Sequence, residues 1–515
     1  MHPEYSHTPY FRVGSSHDLS GLDRRLYRFF EILPGALSWF TIILALLLAF
    51  LLPVFSAYFI IIFNLYWVFK SLYLSIHLRK NWKRLKYNIR IDWEERIKNL
   101  KYQHLFHLVI LPFYKEGKDI LETNIQSLLQ AKGDKKKMAI VLAGEERAGL
   151  EYFSVAQELQ KKYAKEFVSF IVTLHPKDLP GELAGKASNI AYATRIARKE
   201  ILDRAGIPYD DVLVSIFDID TIVYPDYFLV LNWNFCTAEN PHRVSYQPVP
   251  FFNNNIWQSP ALSRVVATSA SFWQMIQQER PERLTTFSSQ SMSFKALHEI
   301  GYWQTNIVSE DSRIFWNCFF AYDGKYETVP LSYPVSMDAN LAPNFRETML
   351  NVYRQQRRWC WGVENLPYIF MGFVKNKKIS RLLKIKVTLI ELERSWSLAT
   401  NPLLLFLLSW APLFLGGEVF NTTVLSYNLP IISKYLTLLG VSGIVLSAII
   451  SLSFLPPRPK EFSKYKIVLI TLQWMFIPAT LLVFGSIPAL DAQTRLMLGG
   501  KFRLGFWVTP KYRIY

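Results

Sequence analysis

The sequence predicts an α/β domain inserted between membrane-spanning helices, on three observations. Residues 35–53 and 56–76 are near-continuous apolar runs of about the ~20 residues that a bilayer helix needs, with Pro53 marking the turn between them. From about 104 to 250, short β-rich runs alternate with helical patterns, the rhythm of a parallel sheet covered by helices. Three further apolar runs follow, at about 398–415, 435–455 and 467–490.

The first two runs read as a helical hairpin in lipid. A hairpin buried in a soluble core would show a polar face, and FTIILALLLAFLL and FIIIFNLYWVF show none. Arg24, Arg25 and Arg28 precede the hairpin and RKNWKRLKYNIR follows it. Basic residues concentrate on the cytoplasmic side of membrane proteins, so the large middle region is predicted to be cytosolic, in a multi-pass protein of the cell (inner or plasma) membrane. The loop 418–429 carries no Lys or Arg, whereas 456–466 carries Arg458, Lys460, Lys464 and Lys466, so the runs on either side of that loop form an out-and-back pair. The third late run fits a single crossing badly, because the tail beyond it holds Lys501, Arg503, Lys511 and Arg513. Pro478 and Pro488 permit a re-entrant or interfacial path that returns the tail to the cytosol.

The net charge of +17 is crowded beside the apolar runs, which fits a charged lipid bilayer surface and no nucleic-acid partner. A hydrophobic content of 50% excludes a disordered chain. Cys236, Cys318 and Cys360 form no CxxC, which indicates neither a disulfide framework nor a structural zinc site. The polar start MHPEYSHTPYFRVGSS reads as a short disordered tail, and the first apolar run comes too late and is too long for a cleaved signal peptide. The expected division is a tail at 1–30, a membrane hairpin at 31–78, a cytosolic α/β domain at 79–345, and interfacial helices at 346–397. Membrane or re-entrant helices at 398–490 and a cytosolic tail at 491–515 complete it.

Within the middle region HLVILPFY, KMAIVLA, FVSFIVTL and DVLVSIFDID read as strands; KDILETNIQSLLQ, EYFSVAQELQKKYA and GKASNIAYATRIARKEI read as helices. No GxGxxG or Walker-type glycine loop occurs, which weighs against a dinucleotide fold and a P-loop nucleotidase. Asp218 and Asp220 stand where a hydrophobic strand stops, the edge at which open α/β sheets place ligands. Such a pair suits a hard divalent cation that also takes diphosphate oxygens, although a strand-end Asp can equally cap the next helix. Glu310 and Asp311 in NIVSEDSRIFWNCFF supply a carboxylate base for an acceptor hydroxyl, or else Ser309 or Asp311 simply caps a helix. In the run Gln355, Arg357, Arg358, Trp359, guanidinium groups suit phosphate oxygens and the indole offers a flat face for a sugar ring. A snorkelling Arg beside an interface Trp is the plainer reading of the same residues.

Taken in the order DxD, ED, QxxRW, these elements make the chain resemble the membrane-integrated family 2 glycosyltransferases, which include cellulose, chitin and hyaluronan synthases. The resemblance runs from about Leu111 onward: LPFYKEG looks like the family's opening strand, GKASN like its lysine-bearing nucleotide loop, YQPVPFFNNN like its QTPxxF stretch, and FWVTPK at 506–511 like the FxVTxK gating loop. It implies a GT-A (Rossmann-like) fold, an inverting mechanism, a UDP- or GDP-sugar donor, and a glycan or lipid-linked acceptor. It further implies that Asp218 contacts the nucleotide and, with Asp220, the Mg²⁺ or Mn²⁺, with Lys186 nearby. Asp311 becomes the general base beside Glu310, Gln355 and Arg358 hold the diphosphate, Trp359 stacks on the acceptor sugar, and Thr509 and Lys511 close over the nucleotide.

Two stretches depart from the family pattern. VLAGEERAG replaces its second aspartate pair, leaving Glu145 or Glu146 for the nucleobase contact, and TFSSQSMSF replaces its acceptor-side motif. A single-addition transferase acting on a lipid carrier shares every one of these residues. A nucleotide-sugar-binding membrane scaffold without turnover has no need of the full set.

Overall fold

The computed structural model describes residues 11–513. The middle region folds around one eight-stranded sheet. Its strands are β1 (Phe106–Pro112), β2 (Met138–Glu145), β3 (Ser169–His175), β4 (Val212–Ile216), β5 (Ile222–Val223), β6 (Val244–Phe252), β7 (Gln290–Ser293) and β8 (Glu327–Met337). Their order across the sheet is β3-β2-β1-β4-β7-β6-β8-β5. β3, β2, β1 and β4 run parallel, and β7 is antiparallel to both β4 and β6.

β2 is buried along its whole length, the signature of a strand covered on both faces. Side-chain alternation splits the core in two. Leu108, Ile110 and Val141 point to one face, under the helices Lys186–Ala197 and Glu310–Ala321. Val109, Leu111 and Leu142 point to the other, under Lys118–Gln130, Leu150–Tyr163 and Tyr227–Thr237.

The hairpin helices are longer than the apolar runs foretell: α1 spans Gly21–Leu51 and α2 spans Pro53–Arg90. At 38 residues α2 is about 57 Å long, so it leaves any bilayer well before its end. Its polar half docks on the sheet. Asn81 and Asn88 bind the Ser332 hydroxyl and carbonyl on β8, and Lys80 and Arg84 pair with the buried Glu279. The 30-residue helix Val424–Ser453 packs along α2, with Ser71 Oγ on the Gly440 carbonyl at 3.1 Å and Trp82 Nε1 on Ser453 Oγ at 2.8 Å. The helix Arg381–Phe406 continues through a 45° bend into Leu408–Leu415.

Three described helical stretches, α1, α2 and 465–498, are each long and apolar enough to cross a membrane, and the bent pair makes a fourth. The 465–498 stretch is also tied to the α/β domain. Along its length it contacts helices of the α/β domain: Gln473 accepts from Arg264, Trp474 stacks on Phe272, and Asp491 binds Tyr353 and Arg357.

Three expectations change. Residues 11–20, expected to belong to a disordered tail, pack onto the α/β domain, because Arg12 caps the carbonyls of Ile300, Gly301 and Tyr302 and Phe11 and Val13 are buried; residues 1–10 lie outside the described residues. The segment NLPYIFMGF, expected at an interface, is core: its aromatic and aliphatic side chains are buried against Phe319 and Phe320. The division expected between interfacial helices ending at 397 and membrane or re-entrant helices beginning at 398 falls inside one continuous helix, Arg381–Phe406.

Candidate active site

The parallel strands β1, β2 and β4 all end at the same edge of the sheet, and a cleft opens there. Eleven of the residues singled out for chemistry line it, all but Arg357 and Glu146: Asp218 and Asp220 after β4, Glu145 at the end of β2, and Lys186 at the first turn of its helix. Glu310 and Asp311 enter from the first turn of the helix Glu310–Ala321. Gln355, Arg358 and Trp359 come from the helix Phe345–Cys360, and Thr509 and Lys511 from the tail.

Lys186 sits at the centre. Its Nζ lies 2.6 Å from Asp218 Oδ1, 2.9 Å from Asp311 Oδ1 and 3.5 Å from Glu310 Oε1. Burial pulls the ammonium toward deprotonation, but the acidic side chains around it, Asp218 and Asp311 foremost, outweigh it and raise its pKa. The balance reverses at Asp218. Burial there favours the neutral acid, yet Lys186 and the Ser288 hydroxyl, which donates at 2.5 Å, hold the carboxylate ionised and its pKa low. Glu310 is pushed up to about 8, first by burial and then by the charge of Asp311, so it is largely protonated at neutral pH. Asp311 is also raised, by burial first, against the pull of Lys186.

The capping alternative for the acidic pair is not what the chain adopts. Ser309 makes no side-chain cap bond to its own helix, and the Asp311 carboxylate is turned to Lys186. The Asp311 main-chain carbonyl is itself held, by Thr286 Oγ1 at 2.5 Å and Gln290 Nε2 at 3.1 Å. The turn that carries Asp311 is therefore tied to the β7 side of the cleft.

Asp220 is fully buried. One oxygen, Oδ2, accepts the Asp338 amide at 2.9 Å and Lys511 Nζ at 2.6 Å. The other, Oδ1, is buried with no hydrogen-bond partner, a situation that ordinarily costs about 1–3 kcal/mol unless a ligand relieves it. Among the described residues no set of three or more His, Cys, Asp or Glu side chains gathers as a metal cage. The fit to Mg²⁺ or Mn²⁺ is thus of the open kind, with one or two carboxylates and the remaining oxygens coming from substrate phosphates. The free Oδ1 of Asp220 agrees with that kind of site.

The QxxRW helix divides its two arginines. Arg357 turns away to Asp491, at 3.0 Å, and braces the apolar stretch 465–498. Arg358 faces the cleft with its Nε buried and unpartnered and its guanidinium 5.2 Å from the Phe506 ring centre. Trp359 forms an aromatic wall with Phe252 and Phe287, at 5.5 and 5.6 Å between ring centres. Of the two glutamates after β2, Glu145 faces the cleft and pairs with Arg147, whereas Glu146 is exposed and accepts the Lys177 amide.

The tail lies across this cleft. Phe506 fits so closely over Gly185 that a Cβ there would approach the ring to 2.6 Å. Thr509 Oγ1 is buried without a partner, and Arg513 binds both oxygens of Asp338 at 2.8 and 3.0 Å. Sequence reasoning missed Asp338, Ser288 and Glu116, and gave Phe506, which opens FWVTPK, no role of its own. Ser288 lies in TFSSQSMSF and Glu116 in LPFYKEG, two stretches already singled out, but Asp338 stands after β8 with no motif to mark it.

Among solved structures, the chain is similar to a mannosyltransferase from Pyrobaculum calidifontis in complex with GDP-Man and Mn²⁺, with a TM-score of 0.41 and 11% identity, covering 76% of this chain and 99% of that one. It is also similar to S. aureus TarS residues 1–349 in complex with UDP-GlcNAc, with a TM-score of 0.31 and 12% identity over 69% of this chain and 93% of that one. A poly-beta-1,6-N-acetyl-D-glucosamine synthase from Staphylococcus epidermidis is 24% identical over 336 residues, 63% of this chain and 69% of the relative. A second S. epidermidis sequence of the same name is 23% identical over 387 residues, 73% of this chain and 79% of the relative. A sequence profile described as glycosyl transferase family group 2 matches residues 213–487, which is more than half of the chain and takes in β4, the acidic pair and QxxRW. The chain therefore belongs to that family and is a glycosyltransferase whose α/β catalytic domain is flanked by helices apolar enough to span a membrane.

Proposed function

We propose that the protein transfers a sugar, with inversion, from a nucleoside-diphosphate donor to a glycan at the membrane, with Asp311 as general base. The observation that carries this reading is the convergence of Asp218, Asp311, Arg358 and Lys511, scattered over the sequence, on one cleft at the carboxyl edge of the sheet. Each supplies a different requirement of the reaction.

Lys186, Lys511 and Arg358 bring three cations to a space that a diphosphate can enter. The unpartnered Arg358 Nε and Thr509 Oγ1 are donors without acceptors, which phosphate oxygens would satisfy. Asp311, now held by Lys186, takes the proton from an acceptor hydroxyl that rests against Trp359 and attacks the anomeric carbon from the side opposite the diphosphate. Glu310, neutral beside it, adds no second negative charge to that turn. Asp220, with Asp218, would hold Mg²⁺ or Mn²⁺, which supplies charge neutralisation on the diphosphate leaving group. Glu145, which lines the cleft, is assigned the nucleobase contact in this reading.

The membrane arrangement that these contacts support has four crossings: α1, α2, the bent pair Arg381–Leu415, and Val424–Ser453. The 465–498 stretch lies along the cytosolic interface, which its contacts with the catalytic helices Ala261–Gln278 and Phe345–Cys360 favour. The catalytic domain and the tail then share the cytosolic side with the basic loops.

The name of the S. epidermidis relatives makes UDP-N-acetylglucosamine the first donor to test, with GDP-mannose as the comparison. Purified membranes incubated with each labelled donor and Mg²⁺ or Mn²⁺ should yield a sized polysaccharide from one of them. A product one sugar long on a lipid would favour the single-addition reading. Nucleotide-sugar binding with no transfer from any donor would overturn the enzymatic one.

A further inference from the structure

Directly after QxxRW the chain places a carboxylate where neither the motif nor the chemistry above requires one. Glu364 is 2% exposed. Its Oε1 accepts three hydrogen bonds from the turn that leads into the catalytic acidic pair: the Val308 amide at 3.0 Å, the Ser309 amide at 2.8 Å and the Ser309 hydroxyl at 2.7 Å. Its Oε2 accepts the Trp361 indole N–H at 2.9 Å and faces Arg503 at 3.8 Å.

These bonds replace the cap that the helix Glu310–Ala321 lacks. Ser309, at the cap position, points its hydroxyl at Glu364 and makes no cap bond to its own helix. The brace is reciprocal. From the next turn of the same helix, the fully buried Arg313 reaches back to the Asn365 side chain at 2.6 Å and to the Glu364 carbonyl at 3.1 Å. The base-bearing helix and the segment that carries Arg358 and Trp359 are thereby joined through one residue pair, with little freedom for either to slide.

We infer that Glu364 is a positioning residue for catalysis: it fixes the Asp311 carboxylate relative to Arg358 and Trp359, and hence relative to donor and acceptor. Arg503 extends the connection. It pairs with Glu31 on α1 at 2.7 Å and donates to the Gly14 carbonyl at 2.9 Å, so the root of the tail, the first membrane helix and the base helix meet at one buried charge cluster. A carboxylate suits this place because four hydrogen-bond donors and the charge of Arg503 converge on its two oxygens, whereas an amide would turn an N–H toward the indole and the guanidinium.

The inference rests on Asp311 being the base, and the test separates the two. Steady-state transfer from UDP-N-acetylglucosamine is measured for the wild type, Glu364→Gln, Asp311→Asn and the double variant, with Ser309→Ala as a milder perturbation. A displaced base costs turnover and not donor affinity, so Glu364→Gln should lower kcat roughly 10- to 100-fold with donor KM nearly unchanged. Ser309→Ala should lower it less. In the Asp311→Asn background Glu364→Gln should cost almost nothing more, because both act through the same carboxylate. Losses that multiply in the double variant, or a rise in KM that matches the fall in kcat, would sink the positioning role. Full activity in Asp311→Asn alone would instead remove the base assignment beneath it.

Discussion

Lys511 Nζ donates a 2.6 Å hydrogen bond to Asp220 Oδ2, joining two residues 291 positions apart at the deepest carboxylate of the cleft. Arg513 does the same to Asp338, whose amide binds the same Asp220 oxygen. Two tail cations thus stand on Asp220 and Asp338, both buried, where a metal–diphosphate would bring its own charge.

Asp220→Asn should abolish the metal dependence of donor binding, since the free Oδ1 is lost as an anionic ligand while the fold around it is kept. Titration of UDP with and without Mn²⁺ checks this, and wild-type Mn²⁺-dependent affinity in the variant would refute the assignment.

Asp311→Asn should leave donor affinity nearly intact and lower turnover by about 10²-fold or more, the usual contribution of a general base. Equal losses in binding and turnover would mean that the residue serves the Lys186 ion-pair cluster rather than the acceptor proton.

Removal of residues 504–515 should reduce transfer strongly while the protein still inserts and stays folded. The fraction of donor hydrolysed per sugar transferred should rise, because Phe506 no longer covers Gly185 and water reaches the cleft. A truncated protein with full transfer activity would contradict the gating role.

Glu310 should make the fold less stable as pH rises. Its carboxyl titrates near 8 in the folded state against an ordinary 4.5. Between those values the folded chain holds a proton that the unfolded chain has released, so stability falls with increasing pH across that window. Glu310→Gln mimics the protonated form and should flatten the dependence of the melting temperature between about pH 5 and 8. An unchanged slope would show that Glu310 ionises freely.

Cysteines at Lys460 and Lys501, both exposed and on either side of the 465–498 stretch, should both resist an impermeant thiol reagent applied outside intact cells. A cysteine at Asn421, between the bent pair and the helix Val424–Ser453, should react. Labelling of position 501 from outside would require the stretch to cross.

The sequence was most legible where period and chemistry coincide. Fully apolar strands such as β2 announce a sheet covered on both faces, and DxD at the end of β4 announces its ligand edge. It was least legible where tertiary partners decide. Arg357 and Arg358 are equivalent in sequence, and only the position of Asp491 turns one away from the cleft. NLPYIFMGF has the aromatic content of an interfacial helix, and its burial depends on Phe319 and Phe320 arriving from another helix. Asp338 and Glu364 carry no motif at all, because their roles consist of contacts with residues far along the chain.

The length of α2 carries a mechanical consequence. A single rigid rod leaves the hairpin and ends bolted to β8 through Asn81 and Asn88, with Trp82 pinned to the last turn of Val424–Ser453. With the hairpin in lipid, as proposed, the height and tilt of the cleft above the bilayer would be set by hydrophobic matching of the hairpin rather than by a flexible linker. A thicker or thinner bilayer that tilts α2 must swing the catalytic sheet with it, so acyl-chain length becomes a variable that reaches the reaction without touching a catalytic residue.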